Sequence, residues 1–469
     1  DKIENVLVKM RRRLGQATHF SHPHILESGQ LLPGVLKKEF DVRRTKLFNA
    51  LPKNSAMVLT SADEKYFSSD CAHKFRQDSD FMYFTGFLET DSIAVFHKNA
   101  KGKCSFSMFV TENDPKTELW VGPRTGIAAA LDLVGADKTF DISNVAQGLP
   151  EIFTTVDEVF LSKSAKNLDQ TLWNTVESLF MSSTKDGCKK SIANNLVDTM
   201  RVKKSPAEIA LMRKASNISA AAHEHVMRRS LSLMCNGAHE GLFLNEFLSK
   251  INELGATGWA YEPIFASGQN ATTLHYGANN GLVSENDLML VDAGADFHFY
   301  ASDITRTFPV NGQFTLAQRK VYDLVLGCQL ASIDYIKGLL QKGSAVSLED
   351  AHNFSLSFFE NHLEEELGVP ADKVKAYYPH GLGHYIGIDT HDTLSIAKTE
   401  NLSANCVFTV EPGLYFRADD DTVPEELRGI GVRIEDQVLV NSSSDGLDVQ
   451  VLTSDVVKVA RDVENLMRE

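Results

Sequence analysis

The chain has 469 residues, too many for one ordinary hydrophobic core, and its 43% hydrophobic and 23% charged residues are those of folded globular protein, which predicts two domains. A net charge of −15 argues against nucleic acid or an anionic membrane surface as the main partner, because either demands a basic face. No apolar run approaches the roughly 20 residues that span a bilayer. The six cysteines (Cys71, Cys104, Cys188, Cys235, Cys328, Cys406) are scattered without a CxxC pair, so neither a zinc ribbon nor a disulfide framework is implied and a reducing compartment is the default.

In chain order, the sequence begins at Asp1 without a methionine, so residues upstream are expected to have been removed. The basic cluster Arg11 to Arg13 reads either as the tail of a transit peptide or, given Asp1 and Glu4, as a solvated helix before the connector SHPHILESGQLLPG. Residues 1–35 are therefore an extension. From about Leu36, LKKEFDVRRTKLFNALP predicts an amphipathic helix ending at Leu51-Pro52, followed by the strand runs AMVLTS, SIAVFHK and CSFSMFV. Helices then alternate with strands, giving an α/β domain over residues 36–200.

A second domain, residues 201–469, opens on SPAEIALMRKASNISAAAHEHVM. Ser205 is a natural N-cap, Pro206 fits the first helical position, and Glu208 completes a capping box. Leu211, Ala215, Ile218, Ala222 and Val226 keep helical spacing, while His223 and His225 read as surface residues. Further helices are expected in LNEFLSKINELG, LAQRKVYDLVLGCQLASIDYIKGLL and LEDAHNFSLSFFENHLEEEL. No internal repeat is visible.

The chemistry concentrates between Val291 and Glu435. The run LMLVDAGADFHFYASDITRTF, residues 288–308, predicts two strands folding back near Asp296 to His298, which sets Asp292 and Asp303 nearly opposite one another. Facing Cβ atoms lie about 5 Å apart, so two carboxylates there repel unless protons or cations neutralise them. His384 lies in the glycine-rich HGLGHYIGIDTHD, Glu411 ends CVFTVE before Pro412-Gly413, and Glu435 lies in GVRIEDQVLV. Alternation in that last run puts Arg433 and Glu435 on one face and Val432, Ile434 and Asp436 on the other. Four carboxylates carry four negative charges, which two divalent cations cancel. Oxygen-rich ligation with one imidazole and no thiolate suits Mn²⁺, Co²⁺ or Zn²⁺.

These segments resemble the catalytic domain shared by aminopeptidase P, prolidase, creatinase and methionine aminopeptidase, the pita-bread family, an α+β fold. The resemblance implies that Asp292, Asp303, His384, Glu411 and Glu435 hold two divalent ions, Mn²⁺ ahead of Zn²⁺ or Co²⁺, with Asp303 and Glu435 shared between them. It also implies that His275 in TTLHYGANN, His380 and His391 surround the substrate, that Glu411 shuttles a proton, and that Arg433 braces the acidic ligands. Tyr276 and Tyr385 are candidates for the pocket wall by proximity. KFRQDSDFMYFTGF (residues 74–87) and ELWVGPRTG (residues 118–126) are similar to signature stretches of the aminopeptidase P N-terminal domain, which implies for Arg76, Asp78 and Asp80 a part in closing the cleft, against their alternative reading as an exposed loop. The lead-in and the long YFRADDDTVPEELRGIGVRIED are most similar to the mitochondrial, intermediate-cleaving branch. That implies an aminopeptidase acting on peptide or protein N-termini, with Xaa-Pro bonds favoured, working as a homodimer in mitochondria or alternatively in the cytoplasm. A Xaa-Pro dipeptidase and a metal-free binding module of the same fold are the rival expectations.

Overall fold

The computed structural model describes residues 15–162, 171–234, 237–444 and 446–469; Arg11 to Arg13 and the expected helix around them lie outside these. The chain divides into two compact units, Asp1–Met200 and Arg201–Glu469. The five cysteines among the described residues are free thiols. No helix among those residues is long and apolar enough to cross a membrane.

The first unit is built on a six-stranded sheet whose strands run in the order Lys189–Ile192, Glu158–Leu161, Ser55–Thr60, Ile93–Lys98, Cys104–Val110 and Lys138–Asp141. Ser55–Thr60 is buried at every position and pairs parallel on one side and antiparallel on the other, as expected of a central strand covered on both faces. The helix Lys37–Ala50 buries Phe40, Arg43, Arg44 and Leu47. Its two buried arginines have a definite task. The last carbonyls of the helix Ser79–Thr85 have no partner within the helix. Arg43 Nη1 donates to Tyr83 O at 3.0 Å, and Arg44 Nη1 to Phe84 O at 2.8 Å.

In the RQDSDF stretch Arg76 is exposed, while the residues from Gln77 on are built into the domain. Gln77 is buried and joins four backbone groups: its Oε1 accepts from the Ala62 and Asp78 amides, and its Nε2 donates to Phe87 O and Glu89 O. Asp78 caps the following helix by accepting from the Phe81 amide at 2.9 Å, and Asp80 is buried. In contrast, the ELWVGPRTG stretch carries Leu119, Trp120 and, to a lesser extent, Val121 exposed on the short helix Pro115–Val121.

In the second unit the order helix, helix, strands occurs twice. Pro206–Leu233 and Glu240–Glu253 precede the antiparallel sheet of Ile264–Ser267, Leu288–Asp292 and Thr305–Pro309. Leu316–Gln341 and Leu348–Leu367 precede the sheet of Val407–Val410, Asp436–Ser443 and Gly446–Val451, with Gly413–Tyr415 and Gly431–Arg433 paired beside it. Three helices start with capping boxes, at Ser205/Glu208, Thr315/Gln318 and Ser347/Asp350. Each box satisfies two amides that the first turn leaves without an intrahelical partner.

His223, expected at the surface, is buried: its Nε2 bonds Ala293 O at 2.9 Å and its ring packs edge-on to Phe247. His225 does point outward, to Glu246.

Behind the second sheet lies a charged network whose centre, Arg306 and Asp436, is buried and whose edge, Lys458, is partly exposed. Arg306 and Asp436 are both fully buried and pair at 2.8 Å, and Asp436 also binds Gln329, Thr453 and Lys458. Burial alone would raise the Asp436 carboxyl, but Arg306 and Lys458 hold it below its ordinary value. Removing one partner of such a group strands the other charge, at a cost of about 3–5 kcal/mol. Asp436→Ala is therefore expected to lower unfolding free energy by that amount in denaturant titration, and an unchanged midpoint would show that the network contributes nothing.

Candidate metal centre

Two antiparallel strands bring the first two acids together, though not in the register expected. The hairpin closes at His298 and Phe299, both with positive φ (49° and 77°), one residue later than the sequence suggested. Asp296 Oδ1 accepts from the Phe299 amide and Thr257 Oγ1 from the His298 amide, which fixes this turn without a glycine. Asp292 consequently faces Thr305, not Asp303. Asp303 lies two residues before Thr305 on the same face, a diagonal neighbour within reach of a polar side chain. Tyr261 is that side chain: its hydroxyl is 2.6 Å from Asp292 Oδ1 and 2.5 Å from Asp303 Oδ1, so one hydrogen serves two carboxylates.

The remaining members come from the second half of the unit. At Gly383 a Cβ would lie 1.9 Å from Thr409 O. Only glycine allows residues 382–384 to dock on the strand Val407–Val410, where Thr409 N bonds His384 O and Glu411 N bonds Leu382 O. This sets His384 beside Glu411. Its Nδ1 donates to Tyr385 O at 3.1 Å, leaving Nε2 turned toward Asp303 Oδ2 at 3.4 Å and Glu411 Oε1 at 3.6 Å. An imidazole that spends one N–H on a carbonyl and points the other nitrogen into carboxylates is arranged as a metal ligand. Donor atoms of Asp303, His384 and Glu435 all lie within 4.8 Å of one another.

Charge makes the same argument. Burial pushes the Asp303, Glu411 and Glu435 carboxyls well above their ordinary values, and their neighbours add to it: Asp292 for Asp303, Glu435 for Glu411, Asp303 for Glu435. Arg433 relieves part of this. Its Nη2 donates to Asp292 Oδ2 at 2.6 Å, Nη1 to the Tyr415 hydroxyl at 2.9 Å and Nε to Thr305 Oγ1 at 3.1 Å, while Thr305 Oγ1 donates to Glu435 Oε2 at 2.7 Å. Arg433 and Glu435 do share a face, and Asp436 turns to the other, as alternation predicted. One guanidinium against four carboxylates leaves a buried excess of negative charge that divalent cations fit.

The acids floor a cavity of about 590 Å³ that is walled by His275, His380 and His391 and, on its apolar side, by Ile264, Leu274 and Leu394. The His391 ring lies 4.4 Å from that of His384. Burial, then the neighbouring His384 and His275, lower His391 to about 4; burial, then Arg433, lower His380 to about 4. His380 Nδ1 bonds Gly381 O and its Nε2 the Tyr415 hydroxyl, each at 2.9 Å, so a continuous chain runs from His380 through Tyr415 and Arg433 to Asp292.

Two family models match the chain: metallopeptidase family M24 over residues 210–442, and the aminopeptidase P N-terminal domain over residues 40–160. Xaa-Pro aminopeptidase 3 of Homo sapiens is 33% identical, over 97% of this chain and 90% of that protein. The chain belongs to the aminopeptidase P branch of metallopeptidase family M24. Intermediate cleaving peptidase 55 of Schizosaccharomyces pombe is also 33% identical, over all of this chain and 95% of that protein. Among solved structures, aminopeptidase P from E. coli with the inhibitor Pro-Leu matches with a TM-score of 0.83 at 31% identity, over 92% of this chain and 98% of that one. The chain is thus a metallo-exopeptidase with an α/β N-terminal domain and a pita-bread domain.

Within this M24 site some expectations need correcting. Tyr276 does not wall the cavity: its hydroxyl is bound to Glu240 Oε2 and Asn270 Nδ2. Tyr385 is buried in the core beside Phe408, where the strand-like alternation of HYI turns it away from His384. Conversely, Tyr261, Thr305 and Tyr415 hold the acids and were not anticipated. Thr305 and Tyr415 sit within two and four residues of Asp303 and Glu411, a spacing that could have marked them; nothing in WAYEPIF marks Tyr261.

Proposed function

We propose that this metallopeptidase is an aminopeptidase with two divalent ions, Mn²⁺ by preference, held by Asp292, Asp303, His384, Glu411 and Glu435, with Asp303 and Glu435 shared between the ions. The observation that carries this reading is the His384 imidazole, its far nitrogen committed to a carbonyl and its near one turned into a cluster of carboxylates too crowded to be charged alone. Such ions supply Lewis acidity, which activates water and polarises a carbonyl.

The chain's own residues do the rest. Glu411 accepts and returns the proton, being the acid that lies beside both His384 and His380. His275 and His391 present ring N–H groups from the cavity wall to the oxygen on which charge develops. The chain His380–Tyr415–Arg433 fixes Asp292. The Ile264, Leu274 and Leu394 wall takes the proline ring of a Xaa-Pro bond, whose nitrogen offers no hydrogen for other peptidases to bind. Its likeness to the intermediate cleaving peptidases, one of them mitochondrial by name, supports the trimming of single residues from precursors in mitochondria; the homodimer is part of the same proposal.

The test is a panel of Xaa-Pro-Zaa and Xaa-Yaa-Zaa peptides alongside a Xaa-Pro dipeptide, with metal content and mass in solution measured on the same preparation. Release of the first residue from the longer peptides, fastest with proline second, is expected. Activity confined to the dipeptide would make the enzyme a dipeptidase. A preparation without divalent metal and without gain on adding Mn²⁺ would make it a binding module.

A further inference from the structure

We propose that Glu240, the first residue of the helix Glu240–Glu253, is a positioning residue that holds His275 in the cavity wall. The inference rests on the aminopeptidase reading for the task it gives His275. Glu240 is completely buried, yet it lies outside the acidic cluster and far from it in sequence. Its Oε1 accepts from Ser267 N at 2.8 Å, Ser267 Oγ at 2.9 Å and Asn270 Nδ2 at 2.9 Å; its Oε2 accepts from Gly281 N at 2.7 Å and the Tyr276 hydroxyl at 2.8 Å. All five donors belong to one segment, residues 267–281, and they bracket His275 on both sides.

That segment begins where the strand Ile264–Ser267 ends, and Ile264 faces Asp292 in the sheet. Its far end is closed by Asn279, which accepts from Phe265 N and donates to Pro263 O, and by the pairing of Glu240 N with Gly281 O. The His275 ring itself makes no hydrogen bond within the described residues and is exposed to the cavity. Its place is therefore set by the backbone that carries it, and that backbone is gathered on a single carboxylate. The carboxylate is also the group that fits: three donors aim at one oxygen and two at the other, so an amide, in either orientation, would turn an NH₂ onto donors. Burial works against the charge, but the bonds from Asn270, Ser267, Tyr276 and Gly281 outweigh it and keep Glu240 below its ordinary value.

Glu240→Gln in the metal-loaded enzyme is expected to lower kcat/KM by ~10²-fold, the scale of a small misplacement of a catalytic group, with metal content unchanged. Deuterium exchange should rise over residues 267–281 and not elsewhere. Tyr276→Phe, which removes one of the five bonds and leaves the carboxylate, should shift both readouts in the same direction by less. In a His275→Ala background, Glu240→Gln should cost little more, because the two changes act on one element. Additive losses in the double variant, or unaltered exchange over 267–281 in both single variants, would overturn the proposal. If the wild-type enzyme releases no residue from any peptide, the aminopeptidase reading fails, while the exchange data still decide whether Glu240 holds the segment.

Discussion

Glu435→Ala, or Asp303→Ala, is expected to abolish peptide hydrolysis and to strip bound metal. Removing one group that stabilises developing charge typically costs about 10²–10³-fold; on the proposal that either residue is shared by two ions, its removal should cost at least the upper end of that range. The same change has an opposite effect on the metal-free protein. Glu435 is buried, and its burial, then the charges of Asp303 and Asp292, disfavour its ionised form. Deleting it removes repulsion, at the expense of a bond from Thr305 Oγ1 and of the hydrogen bond it shares with Asp303. The metal-free variant should therefore melt no lower than the metal-free wild type. Wild type should gain stability as Mn²⁺ is titrated in, because an ion bound only by the folded state adds to its stability, and the variant should gain much less. Melting curves with and without Mn²⁺, combined with elemental analysis, separate these effects. Retained turnover, or an undiminished metal-dependent rise in Tm, would remove Glu435 from the centre.

How much of this was legible beforehand follows from what a sequence encodes locally. Helix starts were readable because a capping box is written within four residues, as at Ser205 to Glu208. The acids were readable because each sits at a strand end or beside glycine, and too many charges of one sign were converging. The register between Asp292 and Asp303 was not, because His298 and Phe299 adopt positive φ without the glycine or asparagine that usually announces it. Nor was the twofold order of helices and sheets: packing an amphipathic helix on a sheet demands only apolar periodicity, so two halves can share a backbone plan with no common residues. Glu240 left no trace at all, since its partners lie 27 to 41 residues away and include two backbone amides that carry no side-chain signature.

His391→Ala is the change that separates catalysis from metal binding. The imidazole stands on the cavity wall against His384, but its loop is held by other groups. Its neighbour Asp392 is buried and pairs with Lys204 Nζ at 2.9 Å and with Arg201, and the Asp392 amide bonds Tyr385 O. Those contacts persist when the ring of His391 is cut back, so the loop should stay in place and the fold should be unaffected. With a pKa near 4 the imidazole is neutral under working conditions and offers a hydrogen without competing for a cation. Its loss should lower kcat by about 10²–10³-fold, the usual cost of removing one donor to an oxyanion, with metal content equal to wild type. A contrasting variant, His384→Ala, removes the nitrogen that lies among the carboxylates and should lose metal as well as turnover. If His391→Ala instead loses metal, the ring is a ligand and the division of labour between the two histidines is wrong. If it keeps both metal and full turnover, the oxyanion is stabilised by its neighbour His275, which stands on the segment gathered by Glu240.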